Sequence, residues 1–343
     1  VKLGLIAAEW PNEEGVGGVG LFNQRLVHEL LEHGNHVTIF TNKNITVGHD
    51  LCTVKTLKVG KSRFGRYYLF PIILSLLLMS KKFSFDMIIS SGDDWAILHQ
   101  QKTVRVFHGT AKGELKGARK IRQVNHLFLY SLELLSSKRV PNKFATGPDS
   151  CKVFDAKFFP PIIGIRKRGL PKTVNPSIIF VGAFWGRKRG YIANNIVHEL
   201  RKKIPKLEFI VITNRRDASL FSKADKVLVN VTEEEKQFAI SRAWILLSTS
   251  TYEGFGIPTF EAMLEGTVPV SIPNPGSRLL LREFPELLTS ELHLEETCSN
   301  LLTNWQKILN LSRCCEIEAK KLIQIGTIER LLKREISPTF YDK

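Results

Sequence analysis

Two glutamates with seven residues between them stand in the segment Ser250-Thr251-Tyr252-Glu253-Gly254-Phe255-Gly256-Ile257-Pro258-Thr259-Phe260-Glu261-Ala262-Met263. Gly254 and Gly256 allow a tight loop with exposed backbone N–H groups. Pro258 suits the first turn of a helix, where its missing N–H costs nothing. Glu261 then falls about one turn into that helix and can face back toward whatever the loop holds. Carboxylates accept hydrogen bonds from hydroxyls, so one can take those of a sugar and the other those of a ribose.

A second chemical signal is Gly182-Ala183-Phe184-Trp185-Gly186-Arg187-Lys188-Arg189-Gly190. Three consecutive cations between glycines at a helix start suit a diphosphate, Arg as a planar fork and Lys as a point charge. A third is Gly15-Val16-Gly17-Gly18-Val19-Gly20, which leads into a helix and suits an anion. Its spacing matches the dinucleotide fingerprint G-x-G-x-x-G. Two features oppose that reading: seven residues, Ala8–Glu14, separate strand from glycine, and the second strand ends at Thr41-Asn42 without a ribose-binding acid. A fourth is Phe107-His108-Gly109-Thr110, where His108 ends a strand and can hydrogen-bond a hydroxyl or an anion.

These segments need a scaffold, and the 343 residues suffice for two domains. Strand and helix patterns alternate. Val1–Ala8 reads as a buried strand, Val19–His33 as a helix, and His36–Thr41, Asp86–Ser90 and Thr103–Phe107 as strands. A second series begins at Ser177–Val181. It continues with a helix over 190–203, strands Leu207–Thr213 and Lys226–Val229, a helix over 232–242, and strand Trp244–Ser248. A helix over 258–265 and strand Thr267–Ser271 complete it. Such alternation predicts α/β architecture with parallel sheets covered on both faces. The boundary is expected within 160–176, which holds four prolines, two glycines and Arg166-Lys167-Arg168.

Composition narrows the classes. A net charge of +16 favours anionic partners. A nucleic-acid-binding protein is the competing reading, but the sequence has no zinc finger, RNP-type aromatics or recognition helix. The five cysteines form no C-x-x-C, which excludes a zinc module and fits a reducing, cytoplasmic setting. No signal peptide is visible. The longest apolar run, Tyr67–Met79, is thirteen residues, short of the roughly twenty that span a bilayer.

The sequence resembles the retaining GT-B glycosyltransferases of the family-4 type, glycosyl transferase group 1. The resemblance rests on the E-x7-E segment, Ala243-Trp244-Ile245-Leu246-Leu247-Ser248 before it, and Gly266-Thr267-Val268-Pro269-Val270 and Asn274-Pro275-Gly276-Ser277 after it. In the first half it rests on Gly17-Gly18-Val19-Gly20, Gly34-x-His36-Val37-x-Ile39, Phe85-Asp86-Met87-Ile88-Ile89 and His108-Gly109. It implies two doubly wound Rossmann-like domains facing each other across a cleft. Residues 1–165 would bind the acceptor, 166–325 the donor, and 326–343 would form a helical tail crossing back to the first domain.

The resemblance also implies roles. Glu253 would bind hydroxyls of the donor sugar, with the amides of Phe255, Gly256 and Ile257 near the sugar and diphosphate. Glu261 would bind the ribose and Lys188 the diphosphate. Gly17 and Gly18 would border the phosphates and acceptor, His108 would lie beside the transferred sugar, and Val229 and Asn230 would flank the base. The family often carries Arg where this chain has Ala183, so Arg187 or Arg189 is expected to supply that charge. Pro160-Pro161-Ile162-Ile163-Gly164 replaces its usual Asn-Gly. The implied reaction is hexose transfer from a nucleotide diphosphate sugar with retention, to a lipid-linked acceptor or a growing glycan. It needs no cofactor; with no D-x-D cluster at a strand end, it is expected to be metal-independent. A non-catalytic nucleotide-sugar binder of the same fold is the alternative.

Charge patterning adds one expectation. Residues 43–82 hold eight cations and one acid, and residues 102–143 ten and two. Each window contains an apolar stretch, Tyr67–Met79 and Leu127–Leu135. Cations beside apolar side chains suit an anionic membrane surface, with Arg119, Lys120 and Arg122 among those expected to contribute. The opposing reading makes both stretches ordinary core faces of helices with solvated lysines outside.

Overall fold

Two parallel sheets organise the chain in a computed structural model that describes residues 1–11, 17–60, 62, 64–80, 83–92, 95–96, 102–113, 120–164 and 170–333. Gly15, Val16, Arg119 and Arg166-Lys167-Arg168 lie outside the described residues, as do positions 334–343 of the tail. By contact density the described residues form two units. One runs to 163 and resumes at 325, and the other covers the chain between.

The first unit has strands β1 (Lys2–Ala7), β2 (His36–Thr41), β3 (Cys52–Thr56), β4 (Met87–Ser91), β5 (Thr103–Phe107), β6 (Asn142–Ala145) and β7 (Lys157–Phe158). They lie in the order β3-β2-β1-β4-β5-β6-β7, and every pair is parallel. Leu3, Leu5, Val37, Ile39 and Ile89 bury one sheet face with Leu26, Val27 and Leu30 of helix α1 (Gly18–Glu32). Ile6, Phe40 and Ile88 bury the other with Phe70, Leu74 and Leu78 of α2 (Phe70–Met79). Both faces are therefore covered, which is why the inner strands read as continuous apolar runs. A π-helical turn, Gly65–Leu69, leads into α2. Helices α3 (Lys120–Ser137) and α4 (Pro148–Phe154) precede β6 and β7.

Three strands differ from the sequence expectation, which placed nothing at 52–56, 142–145 or 157–158. The edge strand β3 is Cys-Thr-Val-Lys-Thr and mostly solvent-facing, so it lacks an apolar run. The strands β6 and β7 have four and two residues, too few for a period to register.

The second unit has β8 (Ser177–Val181), β9 (Glu208–Thr213), β10 (Lys226–Val229), β11 (Ile245–Ser248) and β12 (Val268–Ser271), parallel in the order β10-β9-β8-β11-β12. Helix α5 (Gly190–Lys203) follows β8, α6 (Glu233–Arg242) follows β10 and α7 (Ile257–Leu264) follows β11. The helices α8 (Pro275–Leu280), α9 (Leu294–Leu302) and α10 (Trp305–Ile325) come after the last strand. In each sheet the order reverses beside the first strand, between β1 and β4 and between β8 and β11. Those are the switch points where loops at the carboxyl ends part and ligands enter.

The last helix, α11 (Ile328–Lys333), belongs to the first unit. Its Ile328 and Leu331 join the core cluster containing α1, and His33 Nε2 lies 2.8 Å from Glu329 Oε1. Leu331 is fully buried. Leu331→Ala should therefore cost about 2–5 kcal/mol of docking, as for other buried leucines. Hydrogen exchange checks this: the α11 amides should exchange faster in the variant, and unchanged protection would refute the docking.

Candidate functional site

Both most distinctive motifs lie in the second unit, at its switch point. The Gly182–Arg189 turn leaves β8, and the 249–256 loop leaves the adjacent β11. Two close approaches shape them. A Cβ on Gly182 would lie 3.0 Å from Lys188 Cγ, so glycine makes room for the lysine stem. A Cβ on Gly276 would lie 2.4 Å from the Phe255 carbonyl oxygen, and its N–H donates to the Glu253 carbonyl at 2.9 Å. The start of α8 is thereby pressed onto the loop that carries Glu253. Asn274 caps α8 by accepting from the Ser277 N–H, and it donates to the Ser250 carbonyl at 3.1 Å.

Glu253 is the centre of the cluster. Its side chain is buried, with Lys188 Nζ 2.7 Å from Oε1 and Arg187 Nη1 3.0 Å from Oε2. Arg187 also donates to the Tyr252 carbonyl at 2.9 Å. Burial alone would raise the carboxyl pKa, but the two cations and hydrogen bonds from Lys188 and Ser250 hold it down at about 2. Arg189 turns elsewhere, to the Thr249 carbonyl at 2.9 Å and Glu291 Oε2 at 2.7 Å. Of the two arginines expected to stand in for the charge missing at Ala183, Arg187 is the one beside Glu253. Two cations against one carboxylate leave this cluster positive.

Glu261 sits five residues into α7 and is 1% exposed. Lys236 Nζ lies 2.9 Å from its Oε1 and 2.7 Å from Glu233 Oε1. Burial works against the Lys236 ammonium, but these two carboxylates outweigh it and raise its pKa. Among the described contacts this second cluster has two carboxylates to one cation. Lys236 was missed from the sequence. A signal was there: it falls one turn before Ala239 and Ile240 on the inward stripe of α6.

Phe255 is buried edge-on against Phe260 at 5.1 Å, and Gly256 caps α7 with φ +90. Their amides and that of Ile257 thus stand at a helix N-terminus, where partial positive charge gathers. Val229 ends β10, at the sheet edge, and Asn230 follows it at φ +53. A cavity of about 10 Å³ lies among Lys188, Ser250, Glu253 and Thr259. A wider apolar groove of about 450 Å³ lies between β9, β10 and α6, and its lining shares none of the predicted site residues.

The remaining predicted residues are in the first unit. Gly17 caps α1, Gly18 begins it, and both are exposed. His108 follows β5, its Nε2 2.8 Å from Ser91 Oγ and its ring 4.6 Å edge-on from Phe22. The surrounding protein lowers its pKa to about 3, so the imidazole is neutral. Glu9, after β1, pairs with Arg66 of the π-helical turn. The sequence reading singled out neither.

Residues 175–304 match the family model described as "Glycosyl transferases group 1". That match lies within the second unit and spans β8 to α9. Over the whole chain the fold is GT-B, built from two Rossmann-like units. It is similar to sucrose-phosphate synthase from Thermosynechococcus elongatus (TM-score 0.75, 18% identity, 97% of this chain and 99% of that one). It is also similar to WaaG, a glycosyltransferase involved in lipopolysaccharide biosynthesis (TM-score 0.72, 13% identity, 97% and 98%). A third is HepE of Anabaena in complex with UDP and glucose (TM-score 0.67, 11% identity, 97% and 98%). A comparison with curated proteins gives no match.

The Glu253 geometry has a pH signature. Its folded pKa lies below the ordinary 4.5, so the stabilisation is full above about pH 4.5 and is lost as pH falls through about 2. Glu253→Gln should lower the urea midpoint at neutral pH, because Lys188 and Arg187 lose their counter-charge. The two midpoint curves should converge as pH falls toward 2. Curves that stay parallel between pH 5 and pH 2 would refute the pairing.

Proposed function

We propose that this chain is a retaining hexosyltransferase whose donor is a nucleotide diphosphate sugar. The Arg187–Glu253–Lys188 cluster at the β8/β11 switch point carries the reading, supported by the group 1 match over the same unit. Lys188 and Arg187 receive the diphosphate with the α7 N-terminus. Glu253 takes sugar hydroxyls, and Glu261, steadied by Lys236, takes the ribose. Val229 and Asn230 flank the base. In the first unit, Gly17 and Gly18 border the phosphates and the acceptor, and neutral His108 hydrogen-bonds the transferred sugar. The similar fold of an Anabaena protein bound to UDP and glucose makes UDP-glucose the first donor to test.

In the step itself, the bond from the anomeric carbon to the diphosphate oxygen breaks and its electron pair stays on that oxygen. The acceptor hydroxyl oxygen bonds to the anomeric carbon on the same face, and its proton passes to the departing phosphate. The charge that grows is on the leaving group, so cations already held in place lower the barrier. On this reading Lys188 and Arg187 supply what a metal clamp supplies elsewhere, and the acceptor is a glycan or lipid-linked hydroxyl.

A thermal-shift panel of nucleotide diphosphate sugars identifies the donor, followed by turnover of variants. Lys188→Ala should lose roughly 2–4 kcal/mol of transition-state stabilisation, the scale of one preorganised donor. Arg187→Ala should lose turnover more than Arg189→Ala. Glu261→Ala should chiefly weaken nucleotide binding, and EDTA should leave the rate unchanged. Full activity in both Lys188→Ala and Glu253→Ala, with the fold intact, would overturn the site.

A further inference from the structure

The first unit exposes an apolar face that carries none of the residues assigned to transfer. On α2, Ile72, Ile73, Leu76 and Met79 form one exposed stripe, while Phe70, Leu74 and Leu78 are buried. On α3, Val124, Leu127, Phe128 and Leu135 form another, with spacings of three, four and seven residues. Tyr68 joins the helices: its hydroxyl donates to Asn125 Oδ1 at 2.6 Å, and its ring lies 6.0 Å from Phe128 and 5.3 Å from Phe64. Leu76 is 64% exposed and Phe128 55%, so these are not core faces. A contiguous patch of this kind marks an interaction surface.

The charges beside it in the sequence select the partner. Residues 57–82, which contain α2, hold six cations and no acid, and one of the cations, Arg66, pairs with Glu9. Residues 112–139, which contain α3, hold seven cations and two acids. One of those acids, Glu133, accepts from the Ala111 N–H at 3.2 Å. A second copy of this chain would bring the same cations against themselves across a twofold interface, where they repel. An anionic bilayer neutralises them. The ten residues of α2 are too few to span, and among the described residues no helix is long and apolar enough to cross a membrane. We infer that α2 and α3 lie in the plane of an anionic membrane surface, with the apolar stripes among acyl chains and the flanking cations on lipid headgroups.

The experiment is co-sedimentation with vesicles, either phosphatidylcholine alone or mixed with phosphatidylglycerol, at rising salt. It needs no sugar donor, so its outcome is independent of the transfer reading. Binding is expected to the mixed vesicles only, and salt should weaken it. The triple variant Ile73→Asp, Leu76→Asp, Phe128→Asp should bind roughly tenfold or more weakly. Its unfolding temperature should not fall, because all three side chains are exposed. Charge reversal at Lys138 and Arg139 should weaken binding at low salt and flatten the salt dependence. Absence of binding to mixed vesicles at low salt, or equal binding to phosphatidylcholine alone, would overturn the inference. So would a dimer in vesicle-free solution that the triple variant abolishes, since the face would then belong to a second copy.

Discussion

Glu253 is buried, and a buried carboxylate is tolerable only if something compensates its charge. Stripping a carboxylate of water costs several kcal/mol even after relaxation. Here Lys188 and Arg187 supply the compensation from a different loop. The requirement ties the turn after β8 to the loop after β11, the two loops that part at the switch point. Much of the local structure serves it. Gly182 leaves space for the lysine stem, Gly276 lets α8 press on the Glu253 loop, and Thr249 accepts Arg189 through its carbonyl. The ion pair and the close glycines together hold the two loops against each other.

The resulting electrostatics are divided. The cluster at Glu253 has surplus cation and sits beside the N-terminus of α7. The cluster at Glu261 has surplus carboxylate and sits between α6 and α7. On the proposed reading, one helix therefore meets an anion before its first turn and hydroxyl donors further along. A nucleotide diphosphate sugar has both features joined covalently.

Much of this was legible in the residues, and what was not has physical reasons. Buried central strands need apolar side chains on both faces, so β1, β2, β5 and β8 announced themselves as short apolar runs. The edge strand β3 needs no such run, and it stayed hidden. The E-x7-E segment placed its own helix because Pro258 and Gly256 fix where α7 begins. Partners across the fold were less accessible. Sequence left Arg187 and Arg189 equivalent, and only the left-handed backbone at Arg189, φ +52, swings the second away from Glu253. Lys236 was hidden because a lysine after three glutamates reads as a solvated helix face. Only its spacing to Ala239 and Ile240, one turn on, marks it as inward-facing.

The apolar stripes of α2 and α3 show the same limit from the other side. A run such as Phe70–Met79 is hydrophobic all round, and composition cannot say which half faces the core. The sheet decides it. The face of β1, β2 and β4 bearing Ile6, Phe40 and Ile88 packs against Phe70, Leu74 and Leu78. The remaining apolar residues of α2 are left over by geometry. Tyr68 then carries that surplus onto α3, whose own exposed stripe continues it. A sequence under pressure only to fold would place lysine or glutamate at positions such as Leu76 and Phe128, as it does along α5. Apolar side chains stand there instead, with cations as near neighbours in the chain, a pairing that the inferred anionic membrane surface matches.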